Sequence, residues 1–262
     1  MREQRENGKN DDNNNDLNNV TVSRNPEIRI ALSKFLIISG IFVFLAGMTI
    51  QERILEALEQ RLAFHMIFEH ALFFAIGSLS VIVAETFLHL LFRLRKVKKG
   101  KISKLASYSW FYWSGLTRKV FSINKYHFVW PGIAIALLAF WHIPSMFDWA
   151  TTGGDIHILQ HFSFIIVGSA GFLAMRVLGE SFKIFVLIAI IGMMGFSGLL
   201  FSVLDGQVFS VYSIGDHNEA GTYMIITSTL LLVIGMPLYL IQRTIFHIKA
   251  SVPPARDTDN DI

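Results

Sequence analysis

The chain has no cysteine among its 262 residues. That excludes disulfides, thiolate zinc sites and iron–sulfur clusters, and leaves His, carboxylate and Met side chains to hold any transition metal. Charge is scarce too: Asp, Glu, Lys and Arg make up 16%, against about 25% in soluble domains. Residues 1–27 lack an apolar run or cleavage site and do not read as a signal peptide. They are polar and Asn-rich, with the stretch Asp11-Asp12-Asn13-Asn14-Asn15-Asp16. Such a segment buries too little apolar surface to offset its ordering entropy and reads as a disordered tail. Residues 251–262 read the same way, and no repeat at solenoid periods occurs.

Hydrophobic residues, by contrast, reach 52%, and the mean hydropathy is +0.47. Apolar stretches of about 18 or more residues follow one another, each long enough to cross roughly 30 Å of hydrocarbon. Six spans are expected, at about 31–50, 63–92, 128–147, 157–178, 182–204 and 219–245, forming one all-α transmembrane domain over 28–250. The second is longer than a bilayer and should tilt or protrude. A charged, amphipathic link fills 51–62, and a basic segment fills 93–127.

Lys and Arg sort by side. The N-terminal tail, the 93–127 segment, the turn with Arg176 and Lys183, and the C-terminus carry nearly all of them. Links 148–156 and 205–218 carry none. By the positive-inside rule both termini are cytoplasmic, and the chain is expected in the cell (plasma) membrane. Trp110-Phe111-Tyr112-Trp113 lies among the basic residues. This reads as a segment lying on anionic lipid, so the partner is the bilayer and not nucleic acid.

The nine histidines cluster. His65, His70, His142, His157, His161 and His217 fall at outer span ends, whereas His89, His127 and His247 fall near cytoplasmic ends and read as interfacial. His157 and His161, four apart, share a helix face with Cβ atoms about 6 Å apart, which suits two ligands of one ion. His65 and Glu69 share that spacing. His70 lies about 140° round an α-helix from His65, so an undistorted helix would not aim both at one point. Met66 and Met146 are candidate thioether ligands. Asp148, Asp155, Asp216, Glu69 and Glu219 could hold the rings' second nitrogens. Ionisable groups at membrane depth are costly and face a bundle interior or a wet cavity. Imidazole without thiolate suits copper, which tops the divalent affinity order. Gly168, Gly171, Gly192, Gly195 and Gly198 read as helix-packing sites. Gly195-Phe196-Ser197-Gly198 lies in an apolar span and is packing, not a nucleophile motif, so no catalytic residue is assigned.

The stretch Phe140-Trp141-His142-Ile143-Pro144-Ser145-Met146-Phe147-Asp148-Trp149-Ala150, followed by His157-Ile158-Leu159-Gln160-His161, resembles the CtaG-type cytochrome c oxidase assembly proteins. Their Trp-His-x-Pro segment likewise precedes a His-x-x-x-His helix. His65-Met66 through His70, and Asp216-His217-Asn218-Glu219-Ala220-Gly221, are similar to the family's flanking blocks, so the resemblance covers roughly 63–240. It implies a membrane protein that inserts copper into a haem–copper oxidase. The copper ligands it implies are His65, His70, His142, His157, His161 and Asp216. His217 stands where the family has Gln and joins the candidate metal ligands. The early His pair is five apart here and four apart in the family, which marks a divergent branch. The client is then this oxidase or another extracytoplasmic copper enzyme. Two other expectations remain: a membrane oxidoreductase holding haem b between facing histidines, and a non-catalytic accessory subunit of a respiratory or monooxygenase complex.

Overall fold

The computed structural model describes residues 25–96, 101–122, 129–203 and 207–251. Most of the two tails and His127 lie outside the described residues. Among the described residues there is no strand, and the protein is an all-α, polytopic membrane protein. Its helices are α1 (Pro26–Ile50), α2 (Glu52–Glu59), α3 (Leu62–Arg95), α4 (Lys101–Ser122), α5 (Val129–Trp141), α6 (Pro144–Thr152), α7 (Gly154–Val177), α8 (Glu180–Val203) and α9 (Ile214–Ile245). Five of them, α1, α3, α7, α8 and α9, are long and apolar enough to cross a membrane, and α5 with α6 make a sixth, bent span.

Two boundaries differ from expectation, each for a local reason. α1 starts at Pro26, inside the stretch read as tail, because the Asn25 side chain accepts from the Glu27 and Ile28 amides at 3.0 and 3.4 Å and Pro26 occupies the first turn. The basic segment is largely the helix α4. The third span is not continuous. Ile143 is extended before Pro144 (ψ 125°), and α5 and α6 meet at a bend of 73°. A residue before proline is pushed out of the helical region, and proline tolerates the first turn of a new helix.

The chain forms two compact units, residues 1–178 and 179–262. In the first, α3 packs against α7, with α1, α4, α5 and α6 around them. The α3–α7 contacts climb together, from Glu69 with His161 to Gly77 with Ser169 to Glu85 with Arg176, so the two helices run parallel. A Cβ on Gly77 would overlap the Ile165 carbonyl, and one on Gly168 would overlap that of Phe74. Small residues let the backbones approach this closely. Ser169 then donates to the Gly77 carbonyl at 2.9 Å and Ser78 to the Gly168 carbonyl at 3.1 Å. The far end is clasped by Arg176 on Glu85 at 2.6 Å.

In the second unit α8 and α9 pack antiparallel. Gly195 and Gly198 meet Ser228, Gly221 and Met224, as expected of packing glycines. Gly171 and Gly192 face open space and do not serve that role. The aromatic segment lies on α4. There Trp110 and Trp113 pack on Phe92 and Phe87 of α3, while Tyr108, Phe111 and Tyr112 stay exposed.

Candidate metal centre

The first unit gathers its polar residues at one end of the α3–α7 pair. His70 and Gly77 are seven residues apart on α3, and so are His161 and Gly168 on α7. Seven residues are two turns, so each histidine stands on the face that the glycine brings into contact. The close approach of the helices thus sets the separation of the α3 and α7 side chains above it.

The obstacle to using both His65 and His70 is removed by the backbone. Residues His65–Glu69 form a π-turn, in which the His70 amide donates to the His65 carbonyl. A turn that closes from i to i+5 stacks residues five apart instead of leaving them on different faces. The rings of His65 and His70 are accordingly 5.0 Å apart by centroid and edge to face. Single π-turns inside α-helices concentrate at functional sites.

Five histidines of this unit form one chain of neighbouring rings. His142 is 5.7 Å from His70, His70 is 5.0 Å from His65, His65 is 5.8 Å from His157, and His157 is 4.2 Å from His161. Glu69, fully buried, sits among them. Its Oε1 contacts Nε2 of His161 and lies 3.5 Å from Nε2 of His157, and its Oε2 is 2.9 Å from Nδ1 of His65. Glu59, the last residue of α2, brings a second carboxylate to 3.7 Å from His157 Nε2. One ligand atom each from Glu59, Glu69, His157 and His161 lies within 4.8 Å of the other three.

The distances discriminate between kinds of interaction. Buried Nε2 of His157 has no hydrogen-bond partner, and 3.5–3.7 Å to two carboxylates is too long for one. Two ligands on a tetrahedral ion with bonds of 2.0–2.1 Å stand about 3.4 Å apart. The spacing of His157 from the two carboxylates therefore matches donors that share an ion, while His161 contacts Glu69 directly. Electrostatics agrees: a carboxylate taken wholly out of water is costly unless countered. Two carboxylates balance the charge of one dication.

Exposure is graded across the site. The Glu59 side chain is 31% exposed, those of His157 and His161 are 11% and 13%, and those of Glu69 and His65 are 0%. An ion approaching from solvent meets Glu59 first. Aromatic rings close the inner side: Phe73 stacks on His161, Phe147 stands edge-on to His65, and Phe164 packs on His70 at 4.1 Å.

Of the expected ligands, then, His65, His70, His142, His157 and His161 come together. Asp216 and His217 belong to the second unit and are engaged there. Asp216 closes a capping box with Ser213, accepting from its amide at 3.1 Å and its hydroxyl at 2.6 Å. His217 accepts the Phe209 amide at Nε2 (3.1 Å) and donates from Nδ1 to the Ser213 carbonyl (2.8 Å). With both nitrogens so used, its ring offers no lone pair to a metal. Met146 packs against the apolar cluster around Phe73 and Trp141. Glu69, expected on one face with His65 and as a holder of a ring's second nitrogen, stands at the centre. Glu59 was not singled out: it is one of three glutamates in the 51–62 link, and nothing in spacing separates it from Glu52 and Glu56. Gln160 was missed as well. It is fully buried, three residues from His157, and neither its amide oxygen nor its nitrogen has a hydrogen-bond partner. Comparison of the chain with family models, curated proteins and solved structures returns no match.

Proposed function

We propose that this membrane protein holds a transition-metal ion, copper first among them, at Glu59, Glu69, His157 and His161, and that it handles copper for an extracytoplasmic enzyme. The observation that carries the reading is the fully buried Glu69 flanked by three imidazoles, with a second carboxylate at ion-sharing distance. Nitrogen and oxygen donors without thiolate suit Cu(II) and its neighbours in the affinity series, of which copper is the tightest. The graded exposure supports handling of an ion over permanent storage, because Glu59 offers a half-open rim from which the ion can be taken up or released. The resemblance to CtaG-type proteins adds the direction: delivery to a haem–copper oxidase or another copper enzyme. The distribution of Lys and Arg supports an extracytoplasmic position for the centre, at the cell membrane. Direct ring-to-ring packing of the histidines weighs for a bare ion over haem b, whose macrocycle has to pass between its two axial rings.

The test is the metal content and visible spectrum of the detergent-purified protein beside Glu69→Gln and the double variant His157→Ala/His161→Ala. Copper near one equivalent in the wild type, lost in both variants, supports the reading. Equal, negligible copper in all three sinks it, and a Soret band assigns the histidines to haem instead.

A further inference from the structure

Residues 93–127 hold ten lysines and arginines and not one aspartate or glutamate. Helix α4 makes up most of this segment, and its two faces differ. Trp110 and Trp113 are turned to α3, with ring centroids 5.2 Å from Phe92 and 6.4 Å from Phe87, and Ala106 is buried on the same side. The other side carries Lys104, Tyr108, Phe111, Tyr112 and Lys119. By the step of an α-helix these five fall within an arc of about 100°. Tyr108, Phe111 and Tyr112 are 77%, 81% and 66% exposed, and both lysines are exposed as well. We infer that this outward face of α4 is a binding surface selective for anionic phospholipid headgroups, fastening the α3–α4 corner to one leaflet.

Depth is the first support. At 1.5 Å per residue the 34 residues of α3 extend about 51 Å, against roughly 30 Å of hydrocarbon. Its end with Glu69 holds the metal centre, so the excess length falls at the other end. There Glu85 and Arg176 pair across α3 and α7, a charged contact that belongs at the edge of the hydrocarbon and not within it. Phe87 and Phe92, on which α4 packs, lie beyond that pair. The outward face of α4 therefore stands at headgroup depth. Helix α4 is not among those apolar enough to cross the membrane.

Side-chain chemistry is the second. Three large rings side by side are a liability in bulk water. At the headgroups a tyrosine buries its ring and keeps its hydroxyl wet, and a lysine lays its stem on apolar surface with its ammonium among phosphates. More positive charge is fixed at the corner. Arg95 lies 5.2 and 5.3 Å from the ring centroids of Phe92 and Trp110, and Lys96 lies 4.4 Å from that of Phe92.

Charge selects the occupant. The segment supplies no carboxylate of its own, so balancing charge comes from outside it. A zwitterionic headgroup brings no net charge, whereas an anionic one does, and each lysine near such a surface is worth roughly fivefold in partitioning. A second copy of this chain would present the same sign of charge, which weighs against self-association through this face. The inference is independent of the metal centre.

The experiment uses the full chain with Phe111→Cys carrying a fluorophore at what is then its only thiol. It is reconstituted into vesicles of equal phosphatidylcholine and phosphatidylglycerol, with one lipid or the other brominated to quench. Brominated phosphatidylglycerol should quench more strongly, with a local preference of roughly fivefold or more. Lys104→Gln/Lys119→Gln should reduce that preference to near one at an unchanged melting temperature. Arg29→Gln/Lys34→Gln, the same loss of charge on α1, should leave it intact. Mass spectrometry of the unlabelled wild type, released from the mixed membrane, should find phosphatidylglycerol retained over phosphatidylcholine. Equal quenching by both lipids, or equal loss in the α1 variant, overturns the inference. So does a label that neither lipid quenches in a protein that runs as a dimer, because the face is then covered by a second copy.

Discussion

At the scale of single residues, Glu69 carries the most chemistry in the smallest space. A buried carboxylate among neutral rings is favourable only when a proton or a cation balances it. Metal binding to the folded state should therefore appear as stability. At free metal one hundred times the dissociation constant the gain is about 2.7 kcal/mol. The wild type should melt at a higher temperature with metal than with chelator, and Glu69→Gln should erase that difference. Thermal unfolding of both proteins in both conditions checks it. Gln160 makes an opposite prediction. Its amide is buried with no partner, a situation that costs about 1–3 kcal/mol. Gln160→Leu keeps the volume and removes the polar group, so the metal-free variant should be more stable than the wild type in the same assay. An unchanged or lower melting temperature would show that the amide is satisfied in solution.

At the scale of elements, α3 and α7 depend on two glycines. Gly77→Ala or Gly168→Ala would drive a methyl into the partner's backbone, where no side chain can yield. Overpacking of this kind costs about 1–3 kcal/mol or more, and the shift should reach the histidines two turns above. Both variants should lose stability and metal together. Gly171→Ala, which faces open space, should lose neither, and the three melting curves read side by side decide the point. The glycines also show where sequence reading stops. Gly168, Gly195 and Gly198 behave as read, but Gly171 has the same flanking chemistry and no neighbour, because helix rotation is set by the whole interface. The break at Ile143-Pro144 was legible in principle from the restriction that proline places on the residue before it. The apolar run continues on both sides of it, so hydropathy alone does not mark the break.

At the scale of the whole molecule, span number and positions were legible because hydrocarbon thickness imposes a length on every crossing segment. The cluster was legible in part. Histidines at span ends can be counted, and five of them do meet. Glu59 was not readable, since its role depends on where α2 lies, and no periodicity encodes that. Asp216 and His217 were assigned by pattern alone, and their occupation comes from a local helix cap. Topology itself can be checked with an advantage the composition provides, because any cysteine added is the only one present. A cysteine at Thr152 should react with a membrane-impermeant thiol reagent applied to intact cells, and one at Lys104 should react only after permeabilisation. The reverse labelling would put the centre on the cytosolic side and remove delivery to an extracytoplasmic enzyme.

The π-turn has a consequence for how such a centre tolerates change in length. The two early histidines stand five residues apart, one more than a turn of α-helix brings onto one face. A straight α-helix would leave the second ring about 140° round from the first. Here the wider loop of hydrogen bonds takes up the extra residue on the spot. Both imidazoles reach one side, and Glu59, at the end of α2, stands 3.7 Å from His157. The local widening of the helix thus lets a five-residue spacing serve a single side of the bundle.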